Sequence, residues 1–194
     1  SYHEGIVGYT YDPERARRLL AEAGFPDGFK TTLWAMPVPR PYMPQPLKLA
    51  QAIQADLAVV GIEAEIVTFE WGTYLDKVQR GQHDMGLLGW TGDNGDPDNF
   101  LYVLLDKSAT AFPANNIAFY RSEELHDILI QAQIEVDTAI RTDLYRSAQE
   151  VIHRDAPWVP LVHVAQTAAF GKDVTGFSLH PTGSKWFQSV TLNR

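Results

Sequence analysis

The chain has 194 residues, 45% of them hydrophobic and 21% charged, a length and balance that suit one globular domain with a sizeable core rather than a disordered segment. A formal charge of −8 opposes nucleic-acid binding, which draws on clustered Lys and Arg; the densest basic cluster, Arg15, Arg17 and Arg18, reads as a solvated helix face. The lack of cysteine excludes thiol catalysis, disulfides, iron–sulfur clusters and Cys-type zinc sites, and no apolar run reaches the roughly 18 to 20 residues that span a bilayer.

Residues 1–11 carry no clear periodicity. Asp12-Pro13-Glu14 then reads as the N-cap and first turn of a helix, with Ala16, Leu19, Leu20 and Ala23 on one face and Gly24 as its stop. Residues 29–36 read as a strand, followed by a loop held extended by Pro37, Pro39, Pro41, Pro44 and Pro46. Leu49, Ala52, Ile53, Leu57 and Val60 set a helical period across 47–60, ended by Gly61. Alternation over 63–70 predicts a strand, 74–80 a short helix closed by Gly81, and 85–90 a brief apolar strand. Residues 29–90 are therefore a βαβαβ run, the pattern of a parallel sheet with helical crossovers.

A polar loop covers 91–99, a helical turn 100–105, and 106–120 shows no pattern. Two consecutive helices are expected over 123–135 and 138–155, with Ser122 and Asp137 as N-caps. Residues 159–170 read as a long apolar strand, and 171–194 add one or two more. The fold class is α/β, a lobe whose mixed, largely parallel sheet is flanked by helices.

Recognised chemical motifs are absent. There is no phosphate loop, no dinucleotide-binding turn and no nucleophile elbow. The six histidines, at 3, 83, 126, 153, 163 and 180, never fall at His-x-x-x-His spacing, and each reads as a surface or capping residue. The acidic loop from Asp93 to Asn99 fails the calcium test. An EF-hand loop needs an oxygen ligand at position 3 and Glu at 12; counted from Asp93 these are Gly95 and Leu104, and from Asp96 the twelfth residue is Lys107. No metal and no cofactor is expected.

That loop still needs an account, because it carries three Asp and two Asn directly after an apolar strand. Turn chemistry is one, since Asp, Asn and Gly bond their own main chain and tolerate left-handed backbone. A ligand site is the other, because the loop follows the third strand of a parallel run, and open α/β sheets bind ligands at the carboxyl ends of their strands. Trp90 opens the loop as a flat wall, and Gly89 and Gly92 let another backbone approach. Arg40 follows the first strand and is either an exposed loop arginine or the opposite wall of the same crevice. Asp93 and Arg40 across a cleft suit a zwitterion, each bond worth about 1.5–3 kcal/mol.

These segments resemble a known family. Gly89-Trp90-Thr91-Gly92-Asp93-Asn94-Gly95-Asp96-Pro97-Asp98-Asn99-Phe100 is similar to the signature loop of the dipeptide-binding proteins of ABC importers. Trp34-Ala35-Met36-Pro37-Val38-Pro39-Arg40-Pro41-Tyr42 is similar to their matching upstream loop, and Tyr11-Asp12-Pro13-Glu14 through Ala23-Gly24 resembles a segment common to the peptide, nickel and oligopeptide class, solute-binding protein family 5. The resemblance implies a periplasmic-binding-protein-like C-terminal lobe spanning 12–175. Residues 1–11 would be a linker from a missing N-terminal lobe, and 176–194 tail strands returning toward it.

The resemblance further implies a non-enzymatic substrate-binding component, periplasmic or lipid-anchored outside the cell, whose partners are a dipeptide or short peptide, the membrane permease subunits and the first lobe. In the family's pattern Asp93 holds the peptide α-amino group, Trp90 stands beside a ligand side chain, and the backbone at Thr91 and Gly92 pairs with the peptide main chain. Arg40 meets the C-terminal carboxylate, and Tyr42 shares its loop and joins the ligand-binding set. Relatives with nearly this loop are associated with dipeptides, haem or glutathione. A remote alternative is an acid–base hydrolase using Asp93 and Asp96, for which the sequence supplies no nucleophile or metal.

Overall fold

The computed structural model describes residues 2–180 and 182–193; Ser1, Pro181 and Arg194, which fall within the expected linker and tail, lie outside the described residues. The first helix, α1 (Pro13–Glu22), starts as predicted, with Asp12 Oδ1 accepting the amide hydrogen of Arg15 at 2.8 Å. The βαβαβ run follows as β1 (Phe29–Trp34), α2 (Pro46–Val59), β2 (Ile62–Val67), α3 (Trp71–Gln79) and β3 (Met85–Gly86). Helix α3 begins three residues before its predicted start because the Glu70 carboxylate caps it, accepting from the backbone N–H of Gly72 and Thr73 at 2.9 and 3.2 Å.

All three strands are parallel, in the order β2-β1-β3. Pairing of β1 with β2 opens at Phe29 opposite Ile62. Gly28 and Gly61, each just before its strand, set that register. Both hold positive φ, and a Cβ on Gly28 would lie 1.9 Å from the Gly61 carbonyl oxygen, so only glycine lets the two turns meet. The central strand and its extension bury Leu33, Trp34, Ala35 and Met36 consecutively. A continuous buried run, rather than alternation, is what a strand covered on both faces requires.

Strand β3 is shorter than the 85–90 expected. Beyond Gly86 the ladder adds one bond, Leu87 N–H to Trp34 O at 2.9 Å, and then the chains part. Tyr74 of α3, with 0% of its surface exposed, reaches this point and shares its hydroxyl proton between Leu87 O at 2.7 Å and Trp34 O at 3.1 Å. Burial pushes its phenol well above the ordinary tyrosine range.

The second half is helical: α4 (Asp98–Leu105), α5 (Glu123–Ile134) and α6 (Thr138–Asp155). Ser122 and Asp137 cap α5 and α6 as the sequence indicates. Leu125, Leu129 and Ala132 on α5 face Tyr145, Ala148 and Val151 on α6, two helical stripes closing a second core. The patternless stretch 106–120 is ordered by polar contacts instead of apolar period. Asp106, fully buried, accepts from Ser108 N–H at 2.8 Å and approaches His126 Nδ1 at 2.7 Å, while Asn116 Nδ2 donates to Asp106 O and Tyr120 O. Burial acts to raise the Asp106 pKa, but the bonds from Ser108 and His126 outweigh it and hold the carboxyl below its usual range.

An ion pair ties α6 to the loop that precedes α4. Arg141 of α6 grips Asp96 with both arms, Nη1 to Oδ2 at 2.8 Å and Nη2 to Oδ1 at 2.9 Å, and is itself braced by Nε to Ala132 O and Nη2 to Tyr145 Oη.

The expected strand over 159–170 does not form. A strand exists by pairing, and this segment has no ladder among the described residues; every residue in it is exposed, Val159 by 79%. The tail does form strands, but short ones: β4 (Val174–Thr175) pairs antiparallel with β5 (Thr191–Leu192), apart from the parallel sheet. Among the aromatics of this C-terminal stretch, Trp158 packs on the helical core and Phe177 is half-buried, whereas Phe170, Trp186 and Phe187 are exposed.

Two outcomes are expected. Tyr74→Phe keeps the ring but removes the buried donor, and should lower the unfolding free energy in urea by about 1–3 kcal/mol with helical content intact. Arg141 holds the Asp96 pKa below its unfolded value. That contribution is full above the unfolded pKa, near ~3.9, and is lost as pH falls through the lower folded value. Urea titrations across this window should show Asp96→Asn less stable at neutral pH and with a shallower acid decline; an unchanged acid limb would rule out the linkage.

Candidate binding site at the carboxyl ends of β1 and β3

The strand order places the reversal of chain winding between β1 and β3, so the loops leaving these neighbours open side by side. In the first loop Arg40 and Met43 exchange backbone bonds, Arg40 N–H to Met43 O at 3.1 Å and Met43 N–H to Arg40 O at 2.9 Å. Met43 is buried beneath, which leaves Pro41 and Tyr42 at the tip. The Arg40 guanidinium lies 4.3 Å over the Trp71 ring, and Trp71 stacks in turn on Tyr74, with planes 10° apart. Trp71 was not among the residues singled out from sequence; its signal was an aromatic at a strand-to-helix junction.

Tyr42 joins this loop to the second. A Cβ on Gly89 would lie 2.3 Å from Tyr42 Cδ2, so the missing side chain admits the tyrosine ring of the same chain, not the backbone of another. Gly92 is likewise used internally, with a Cβ there meeting Phe100 at 3.0 Å and Asn94 O at 3.1 Å. Burial raises the Tyr42 phenol pKa, with the Arg40 charge acting against it.

Within the second loop the carboxylates divide by role. Asp96 is held by Arg141 and also accepts from Asp98 N–H at 2.9 Å, starting α4 two residues earlier than predicted. Asp98 accepts from Gln133 Nε2 at 2.9 Å. Asp93 is exposed, and among the described residues its carboxylate meets only the Asn99 amide nitrogen, at 3.4 Å. Asn99 Oδ1 accepts from Trp90 Nε1 at 2.9 Å and from Asp93 N–H at 3.0 Å. Trp90 is thus half-buried and tethered, while Thr91 is exposed.

The structure therefore brings Tyr42 against Gly89, and Trp90, Thr91, Gly92 and Asp93 into one turn organised by Asn99. Arg40 and Asp93 stay apart from each other, and among the described residues neither enters an ion pair. Arg141 binds both carboxylate oxygens of Asp96 and holds its pKa below the usual range, which works against a proton-donor role. Asn99 reads from sequence only as a member of this loop, with no role of its own. Arg141 has no local signal, since it lies 45 residues along the chain from Asp96.

The chain is similar to known proteins. Over 191 residues the chain is 41% identical to the dipeptide-binding protein of Escherichia coli K12, covering 98% of this chain and 36% of that protein. It is 39% identical over 193 residues to heme-binding protein A of Haemophilus influenzae, covering 100% of this chain and 35% of that one. The structure of the ABC transporter-associated periplasmic binding protein DppA from Helicobacter pylori, in complex with the peptide STSA, superposes with a TM-score of 0.82 at 40% identity, covering 100% of this chain and 37% of that one. The chain thus spans about a third of the length of the curated relatives it matches. Residues 1–112 match the model for bacterial extracellular solute-binding proteins, family 5 (middle), and the chain belongs to that family.

Proposed function

We propose that this chain is the C-terminal lobe of a substrate-binding component of an ABC importer and captures dipeptides or short peptides by their main chain. The observation that carries the proposal is the sorting of charge at the two loops. Asp96 and Asp98 are engaged with the fold, whereas Asp93 on one loop and Arg40 on the other are left without an ion-pair partner among the described residues. A zwitterion with its α-ammonium at Asp93 and its carboxylate at Arg40 would make two charge-assisted bonds, each worth about 1.5–3 kcal/mol net. In this reading Trp90 walls a ligand side chain, the backbone at Thr91 and Gly92 pairs with the peptide, and Tyr42 closes the floor between the loops. Main-chain pairing confers affinity without reading side chains.

The peptide held by the Helicobacter pylori protein and the printed name of the Escherichia coli relative support this ligand class. A protein of this kind is a carrier and not an enzyme, in keeping with the engagement of Asp96 by Arg141. We assign residues 1–11 to a linker, 12–175 to the lobe and 176–194 to a tail returning to a first lobe. The exposed apolar side chains of 159–170, with Trp186 and Phe187, support a covering surface of that kind. The remaining partners are the permease subunits, and the compartment is the periplasm or the outer face of the membrane, in line with the family's extracellular description. The name of the Haemophilus influenzae relative supports haem as the second ligand reading.

An amide-shift titration of the chain with dialanine, N-acetyl-dialanine, glutathione and haem tests these readings. Shifts at residues 89–98 and around Arg40 are expected with dialanine and should vanish when the amine is blocked. Asp93→Asn should weaken dialanine about tenfold or more, the loss of one charge-assisted bond, and N-acetyl-dialanine far less. Equal losses for both peptides would sink the role of Asp93, and shifts from haem or glutathione alone would change the ligand.

A further inference from the structure

Asn99, in the first turn of α4, directs its whole side-chain amide at the proposed ligand site. Its Oδ1 accepts two bonds, from Trp90 Nε1 at 2.9 Å and Asp93 N–H at 3.0 Å, and its Nδ2 lies 3.4 Å from Asp93 Oδ2. The orientation of this amide follows from its surroundings. Both groups on one side can only donate, so the oxygen must face them, and the nitrogen is then obliged to face the Asp93 carboxylate. Aspartate could accept the same two bonds, but it would set a second negative charge against Asp93. Asparagine supplies two acceptor positions and a donor together without adding charge.

Asn99 is itself held firmly. Its backbone N–H donates to Asp96 O at 3.2 Å, and Asp96 is fixed by the two arms of Arg141. Gly92 leaves room for the neighbouring Phe100 ring and Asn94 carbonyl, which a Cβ there would approach to 3.0 and 3.1 Å. A chain of directed contacts thus runs from α6 through Asp96 to Asn99, and from Asn99 to the carboxylate and indole at the surface.

The geometry points to Asn99 as a positioning residue for ligand capture: it orients the Asp93 carboxylate toward an α-ammonium group and sets the Trp90 indole beside it. The ligand half of this inference rests on the peptide reading above. It explains how an exposed carboxylate in a glycine-rich loop is presented in a defined direction instead of sampling its rotamers.

The test compares the wild-type chain with Asn99→Ala and Asn99→Asp by NMR, first without ligand. Asn99→Ala should move the Trp90 indole and Asp93 amide proton resonances toward solvent-exposed values. Asn99→Asp, which keeps both accepted bonds but loses the donor facing Asp93, should hold those resonances near their wild-type positions and move the side-chain carboxylate carbon resonance of Asp93. With ligand, Asn99→Ala should weaken dialanine about tenfold and N-acetyl-dialanine clearly less. Unmoved resonances in Asn99→Ala, or equal loss of both peptides, would overturn the inference. If Asn99→Ala does not fold, Asn99→Asp decides alone, and an unmoved Asp93 carboxylate carbon resonance overturns the role. A wild-type chain that binds neither peptide counts against the peptide reading, and the ligand-free resonances still decide whether Asn99 orients Asp93 and Trp90.

Discussion

The site depends on how the parallel sheet ends. Where β1 and β3 diverge, the last ladder bond runs from Leu87 N–H to Trp34 O and the Leu87 carbonyl is left without a strand partner in a buried setting, where an unsatisfied group opposes folding by a sizeable fraction of a domain's stability. Tyr74 resolves this by extending from α3 into the gap and bonding the carbonyls of both departing chains. The strands can then part while buried, so two loops emerge side by side with a rigid floor beneath them. Trp71, one turn earlier on the same helix, stacks on Tyr74 and lies under the Arg40 guanidinium. A single helix face thus terminates the sheet and supports one end of the proposed ligand.

The other end is supported from the second core. Arg141 fixes Asp96, the backbone of Asp96 receives Asn99, and Asn99 receives Trp90 and Asp93. Each step is directional, which matters in a loop whose glycines would otherwise leave it many conformations. The three carboxylates of this loop are chemically alike and differ in function because of what surrounds them. Arg141 and Gln133 engage Asp96 and Asp98, and Asp93, facing solvent, remains available to a ligand.

The exposed apolar stretch 159–170 fits a lobe that accounts for about a third of its relatives' length. Its side chains have the β-branched composition of a strand, yet composition does not make a ladder. Two such segments read alike in sequence, β2 and 159–170, and only β2 has β1 beside it.

Sequence by itself determined the elements whose information is local. The Asp12, Ser122 and Asp137 caps, the helical stripes of α5 and α6, and the βαβαβ order all follow from groups within a few residues of each other, since caps and apolar periods act over one or two turns. The positions of the two loops, after β1 and after β3, were legible too, because each follows the carboxyl end of a strand in the βαβαβ run. Tertiary structure alone decided the rest. Only folding set Tyr42 against Gly89, assigned Asp96 to Arg141, placed Trp71 beneath Arg40, and turned Asn99 from a turn residue into the organiser of the loop. Most of those contacts join residues far apart along the chain, and their partners are chosen by how the elements pack. No periodicity or spacing records that choice.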